Sequence, residues 1–258
     1  MSLVDFEAND DFAWIRINRE EKRNAMNQEA RDGVRDGLQR ARNEFPVVIV
    51  TGTGGSFCAG IDLKEVEAQA KEGSTHALEE WREINLAIRD HPAVVIAAVN
   101  GIALGGGVTL IGCCDLAIAA NEAQMGMPEV GFGMFPNPAG PSTALNLTRK
   151  RAAWMVLTAE RIGGQQAAAW GLVNESVPLS ELEKRVGEVA QRLAQFDPAT
   201  LTESKRTLDQ IPLNVDSWRA AFEAGVETNA RIQETTRSTS DALERFARGE
   251  RNPGQGRS

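Results

Sequence analysis

The sequence predicts an α/β core followed by a helical C-terminal portion. Two observations carry this. Up to about Arg149, short apolar runs bounded by turn residues alternate with segments of helical period. Beyond it, helical segments follow one another, with Pro178, Pro198 and Pro212 as punctuation.

Residues 12–18 read as a half-buried strand, with Ala13, Ile15 and Ile17 on the inner face and Arg16 and Asn18 on the outer one. Asn27 is placed to cap a helix in which Ala30, Val34, Leu38 and Ala41 recur at helical spacing. Residues 47–50 read as a short buried strand, ended by the glycine-rich turn at 51–55. A helical stretch at 77–89 leads to a second buried strand at 93–99. Gly105, Gly106 and Gly107 open another helix, and residues 116–119 read as a third buried strand. In the C-terminal portion helices are predicted at 165–170, 180–195, 199–210 and 215–230. The tail from Arg248, rich in glycine and arginine, is predicted to fray.

A chain of 258 residues fits one large domain or a domain with a small appendage, and 42% hydrophobic with 25% charged residues supports a packed core. A formal net charge of -8 disfavours nucleic acid or an anionic membrane surface as the main partner. No apolar run approaches the roughly 20 residues that span a bilayer. Residues 1–10 lack the charged-then-apolar order of a signal peptide. Cys58, Cys113 and Cys114, an odd number with an adjacent pair, make a poor disulfide framework and point to a reducing, cytoplasmic location.

Three stretches carry chemistry together: residues 56–64 (SFCAGIDLK), 100–109 (NGIALGGGVT) and 127–133 (MPEVGFG). Singly, the glycine-rich ones are explained by backbone geometry alone, and neither ends in the Gly-Lys-Ser/Thr of a phosphate-binding loop. In combination they read otherwise. A triple glycine at a helix start admits close approach of a ligand to free N–H groups at the positive end of the helix. Such donors suit a developing oxyanion, and a second N–H from the turn at 59–61 would complete a two-donor hole. Glu129 follows a proline among apolar residues, where burial raises a carboxyl pKa toward the range useful for proton transfer.

These stretches, with residues 15–26 (IRINREEKRNAM), resemble the enoyl-coenzyme A hydratase/isomerase (crotonase) superfamily in order and separation, as far as about Leu179. The resemblance implies a crotonase-like spiral of ββα units over residues 1–195, a C-terminal helical trimerisation region at 196–258, and assembly as a homotrimer or dimer of trimers. It implies an acyl-coenzyme A thioester as substrate, with coenzyme A entering only as part of it and no metal or other cofactor. The thioester oxygen would be held by the N–H groups of Ile61 and Gly106. Coenzyme A would lie across Ala59, Gly60, Asp62, Leu63 and Lys64 and meet Lys22, Arg23 and Ala25. Without the resemblance, Lys22 and Arg23 would be read as solvated surface charges.

Typical hydratases of this family use two glutamates about twenty residues apart. The second is present as Glu129, while the first position holds Thr109. A threonine hydrogen-bonds a water but cannot titrate near neutral pH. Isomerases of the family work with a single carboxylate. Hydroxycinnamoyl-coenzyme A hydratase-lyases also keep only the later one, and residues 171–179 and 21–26 are similar to that subgroup. Those enzymes hold the substrate phenol with tyrosines, and this sequence has none. A crotonase-like protein that binds acyl-coenzyme A without turning it over is the reading from another class. Trp81, Phe132 and Phe135 suit either an acyl pocket or the core. Cys113 and Cys114 read as core residues, and His76 and His91 stand outside the three motifs, with no triad order or metal-ligand spacing around them.

Overall fold

The structure is a computed structural model that describes residues 2–214 and 217–250. Strands β1 (Val4–Ala8) and β2 (Ala13–Ile17) pair antiparallel, and a 3₁₀ turn at Glu20–Lys22 leads into α1 (Gln28–Ala41). One unit then repeats three times: a strand in a large sheet, a strand in a small sheet, and helix. The first unit is β3 (Val47–Gly52), β4 (Ser56–Cys58), α2 (Leu63–Lys71) and α3 (His76–Arg89). The second is β5 (Val94–Val99), β6 (Ile102–Leu104) and α4 (Gly106–Cys113). The third is β7 (Leu116–Ala120), β8 (Gln124–Gly126), a 3₁₀ turn at Pro128–Phe132 and α5 (Ala139–Asn146). Then come α6 (Arg149–Thr158), β9 (Ile162–Gly163), α7 (Gly164–Trp170), β10 (Glu175–Val177) and α8 (Leu179–Ala194). Helices α9 (Pro198–Asn214), α10 (Trp218–Thr235) and α11 (Ser238–Ala247) follow.

The large sheet has the order β1-β2-β3-β5-β7-β10 and the small one β4-β6-β8-β9. Each unit advances one strand in both sheets, which is the ββα spiral. Strands β3 and β5 are buried at every position, as parallel strands covered on both faces must be. Strand β2 alternates, with Ala13, Ile15 and Ile17 fully buried. Asn27 Oδ1 accepts the Ala30 N–H at 3.1 Å and caps α1, whose buried face includes Ala30, Val34, Leu38 and Ala41. Helix α8 buries Leu182, Val186, Ala190 and Ala194 and packs on β3, β5 and β7.

Three sequence expectations need correction. Strand β10 joins the large sheet parallel to β7, so the α/β architecture continues well past Arg149. Its three residues are too few to show a period. Helix α11 was not predicted, and α10 begins at Trp218 and runs on to Thr235. Residues 215 and 216, and the tail from 251, lie outside the described residues.

Arg31 lies on the inner face of α1 and is fully buried. It meets both Glu65 oxygens at 2.9 Å and Glu80 at 3.0 Å, which ties α1 to α2 and α3. A buried charge survives only with such partners.

Candidate active site

Strands β4, β6 and β8 lie side by side and parallel in the small sheet; the first two lie within two of the three motifs and β8 leads into the third. The turn at 59–62 follows β4, Gly105 follows β6, and Glu129 follows β8. Segments far apart in sequence are thereby brought to one edge.

Gly60 and Gly106 stand backbone to backbone. A Cβ on Gly60 would lie 2.9 Å from Gly106 N, and one on Gly106 would lie 3.0 Å from Gly60 Cα. Gly60 also has φ +87°, open to glycine and strained for other residues. Met26 N–H donates to Gly60 O at 2.8 Å, and Asp62 N–H donates to Met26 O at 3.1 Å. This short bridge leaves the Ile61 N–H facing away from Met26. Gly106 is the first residue of α4, so its N–H has no acceptor within the helix. Among the described residues neither the Ile61 nor the Gly106 N–H donates a hydrogen bond.

Glu129 comes to this edge from the 3₁₀ turn at Pro128–Phe132. A Cβ on Gly105, which has φ +51°, would overlap Glu129 Oε1 and lie 3.2 Å from its Cδ. The carboxyl therefore rests against the residue that opens α4. Glu129 Oε2 is enclosed and has no hydrogen-bond partner among the described residues. Burial pushes the Glu129 pKa above the ordinary carboxylate value, with only a backbone hydrogen bond opposing it. Thr109 lies one turn along α4, its N–H donating to Gly105 O at 3.3 Å. Thr109 is 1% exposed, and its hydroxyl oxygen is likewise enclosed without a partner.

The loop that carries Lys22, Arg23 and Ala25 packs on the turn at 59–62. Ala59 N–H donates to Arg23 O at 3.0 Å, while the Lys22 and Arg23 residues are exposed and Ala25 is half-buried. Asn24, fully buried, donates to Ser56 O at 2.7 Å and Thr53 O at 2.9 Å. Arg19 was missed by the sequence reading. Its guanidinium donates to Asp62 Oδ2 at 2.6 Å and to Ala25 O at 2.9 Å, clamping loop to turn. Nothing in the charged run around it marks which cation turns inward. Burial alone would raise the Asp62 pKa, but the Arg19 hydrogen bond and charge together with the backbone N–H groups of Lys64 and Glu65 outweigh it and hold the carboxyl below its usual value. Asp62 also caps α2, accepting the Lys64 N–H at 2.9 Å, so Leu63 and Lys64 lie exposed in the first turn of that helix.

The other groups divide clearly. Trp81 is buried against Gly106, whereas Phe132 and Phe135 are exposed. The three cysteines are free thiols; burial pushes Cys58 up to about 12 and Cys113 to about 11. His91 is buried, its Nε2 3.0 Å from Leu38 O, and burial lowers its pKa to about 4. Among the described residues no group of three or more His, Cys, Asp or Glu could hold a metal ion, and no helix is long and apolar enough to cross a membrane.

Comparison with known proteins shows the family. The sequence profile described as enoyl-CoA hydratase/isomerase matches residues 7–250. A hydroxycinnamoyl-CoA hydratase-lyase of Pseudomonas fluorescens is 34% identical over 210 residues, 78% of this chain and 76% of the relative. A probable enoyl-CoA hydratase of Rhodobacter capsulatus is 33% identical over 225 residues, 87% of this chain and 88% of the relative. Among solved structures, an enoyl-CoA hydratase from Bacillus anthracis matches with a TM-score of 0.89 at 28% identity, covering 95% of this chain and 96% of that one.

Proposed function

The chain belongs to the enoyl-CoA hydratase/isomerase family, and from that premise we propose that it processes an acyl-coenzyme A thioester through an enolate, with Glu129 moving the proton. The observation that carries this reading is one juxtaposition. The Gly60–Gly106 approach sets two free N–H groups beside each other, and the Glu129 carboxyl rests on the adjoining Gly105.

In this reading the thioester oxygen accepts hydrogen bonds from the Ile61 and Gly106 N–H groups. Both donors are rigid backbone, held by the Met26 bridge and by α4, so little reorganisation is needed when charge develops. For a 3-enoyl thioester, the Glu129 carboxylate takes a proton from C2. The electron pair runs through the thioester into its oxygen, giving a dienolate. The same carboxyl returns the proton to C4, and a 2-enoyl thioester results. A carboxyl with a raised pKa both accepts and returns the proton readily near neutral pH. The coenzyme A portion lies across Ala59 to Lys64 and against Lys22, Arg23 and Ala25. Coenzyme A enters only as part of the substrate.

The likeness to the Pseudomonas hydroxycinnamoyl-CoA hydratase-lyase favours a second reading, specialised hydration of a conjugated acyl group. There Thr109 would orient a water that Glu129 deprotonates. With no tyrosine in the chain, the acyl tail is anchored by other means. A homotrimer or dimer of trimers belongs to the same proposal, since Trp218, Phe222 and Val226 form an exposed apolar stripe on α10 and Leu243 and Phe246 another on α11. The free thiols favour a reducing, cytoplasmic setting.

The test is turnover of crotonyl-, 3-enoyl- and feruloyl-coenzyme A by the natural protein and by Glu129→Gln. We expect turnover of the 3-enoyl or feruloyl thioester, lowered roughly 10²–10⁴-fold in the variant. A variant at the natural rate would remove Glu129 from the mechanism. Binding of all three thioesters without turnover would make the chain a binding protein.

A further inference from the structure

Trp81 lies on α3 with only 1% of its surface exposed, yet its polar edge is unused by the fold. Among the described residues its indole N–H has no acceptor. It is also not one of the fully enclosed unpartnered atoms, unlike Thr109 Oγ1, Asn85 Oδ1 and Glu129 Oε2. The sliver of surface left to Trp81 therefore includes its N–H. A buried indole ordinarily finds a partner, because an unpaired donor loses the hydrogen bond it had with water. A phenylalanine would fill much of this space without that cost.

The position of the ring sets it beside the candidate oxyanion hole. A Cβ on Gly106 would lie 2.6 Å from Trp81 Cζ2 and 2.9 Å from Cε2, the carbon bonded to the indole nitrogen. The same Cβ would lie 3.0 Å from Gly60 Cα, so the Cε2–Cζ2 edge of the indole packs on Gly106 where Gly60 approaches it. Helices α3 and α4 run in the same direction: Trp81 stands at Gly106, and Arg89 and Asp90 stand close enough to Cys113 to act on its thiol. Trp81 thus belongs to the N-terminal end of α4, where the free backbone N–H groups emerge.

We propose that Trp81 Nε1–H is a third hydrogen-bond donor to the oxygen of the bound thioester, beside Ile61 and Gly106. This rests on the thioester reading above. The third donor makes the hole more complementary to an enolate, which carries full charge on that oxygen, than to the ground-state carbonyl.

The decisive probe is crotonyl-coenzyme A labelled with ¹³C at the thioester carbonyl, bound to Glu129→Gln protein. Binding should move the carbonyl resonance downfield, and adding Trp81→Phe should return it part of the way. In the Glu129 protein, Trp81→Phe should lower kcat roughly 10²-fold on the thioester turned over fastest, with KM changed much less. If the carbonyl resonance does not move even with Trp81 present, the thioester reading and the third donor both fall. If it moves equally with and without Trp81, the third donor alone falls, even where turnover drops, because packing then explains the loss.

Should Trp81→Phe not fold, the indole N–H resonances of the natural protein serve instead. Trp81 is assigned by separate phenylalanine replacements at Trp14, Trp154, Trp170 and Trp218. Its N–H should shift downfield with crotonyl-coenzyme A and not with butyl coenzyme A thioether, which lacks the oxygen. An equal response to both ligands would overturn the proposal.

Discussion

Replacing Gly105 by alanine separates backbone strain from catalytic geometry. Gly105 holds φ +51° and ψ -111°, where an L side chain costs roughly 1–3 kcal/mol. For a chain of this length each kcal/mol lowers Tm by about 2–4 °C, so a fall of about 2–12 °C is expected. The added methyl would also overlap Glu129 Oε1. To regain van der Waals separation the carboxylate must retreat by about 1 Å. A displacement of that size at a reacting group costs on the order of 10²-fold in rate. Gly105→Ala should therefore remain folded, bind the thioester, and lose about two orders of magnitude in kcat. Gly187→Ala is the control, because a Cβ there meets nothing within 4 Å and α8 lies outside the site. Steady-state kinetics, a thermal melt and thioester titration measure the three effects separately. A Gly105→Ala protein with the expected fall in Tm but a kcat within a few-fold of natural would refute the placement of Glu129 as the proton carrier.

Three further outcomes are expected. The raised Glu129 pKa means that the folded state holds this proton more tightly than the unfolded chain, so ionising Glu129 destabilises the fold as pH rises past the ordinary carboxylate range. The stability of Glu129→Gln relative to the natural protein should then increase from pH 4 to pH 8; a flat difference in denaturant midpoints would contradict the burial argument. His91 is the opposite case, with a folded pKa of about 4 against an ordinary histidine value of 6.5. Its contribution is present above about pH 6.5 and lost as pH falls toward 4, and NMR should place its midpoint near 4 rather than near 6.5. Thr109→Glu should raise crotonyl-coenzyme A hydration severalfold or more by supplying a second carboxylate. A natural protein already hydrating crotonyl-coenzyme A near the roughly 10⁸ M⁻¹s⁻¹ encounter limit would show that Thr109 is no handicap.

The buried parallel strands were legible in the sequence because strands covered on both faces must be apolar at every position, as in residues 47–50 and 93–99. The cap at Asn27 and the opening of α4 at its glycines were legible because both depend on local backbone chemistry. The three motifs could be picked out by residue type, Glu129 by its place after a proline among apolar residues, and Thr109 by the spacing that the family resemblance implies. Tertiary structure alone decided what met what. Strands of two or three residues such as β6, β8 and β10 carry no period, yet β4, β6 and β8 set the three motifs along one edge. Which charges turn inward was equally hidden. Arg31 and Arg19 look like their exposed neighbours in sequence, and only carboxylates from other elements, Glu65 and Glu80 for one and Asp62 for the other, offset the cost of their burial. The same holds for Trp81. A tryptophan on an amphipathic helix reads as core, and only the fold brings its ring against Gly106, twenty-five residues on, where Gly60 also approaches.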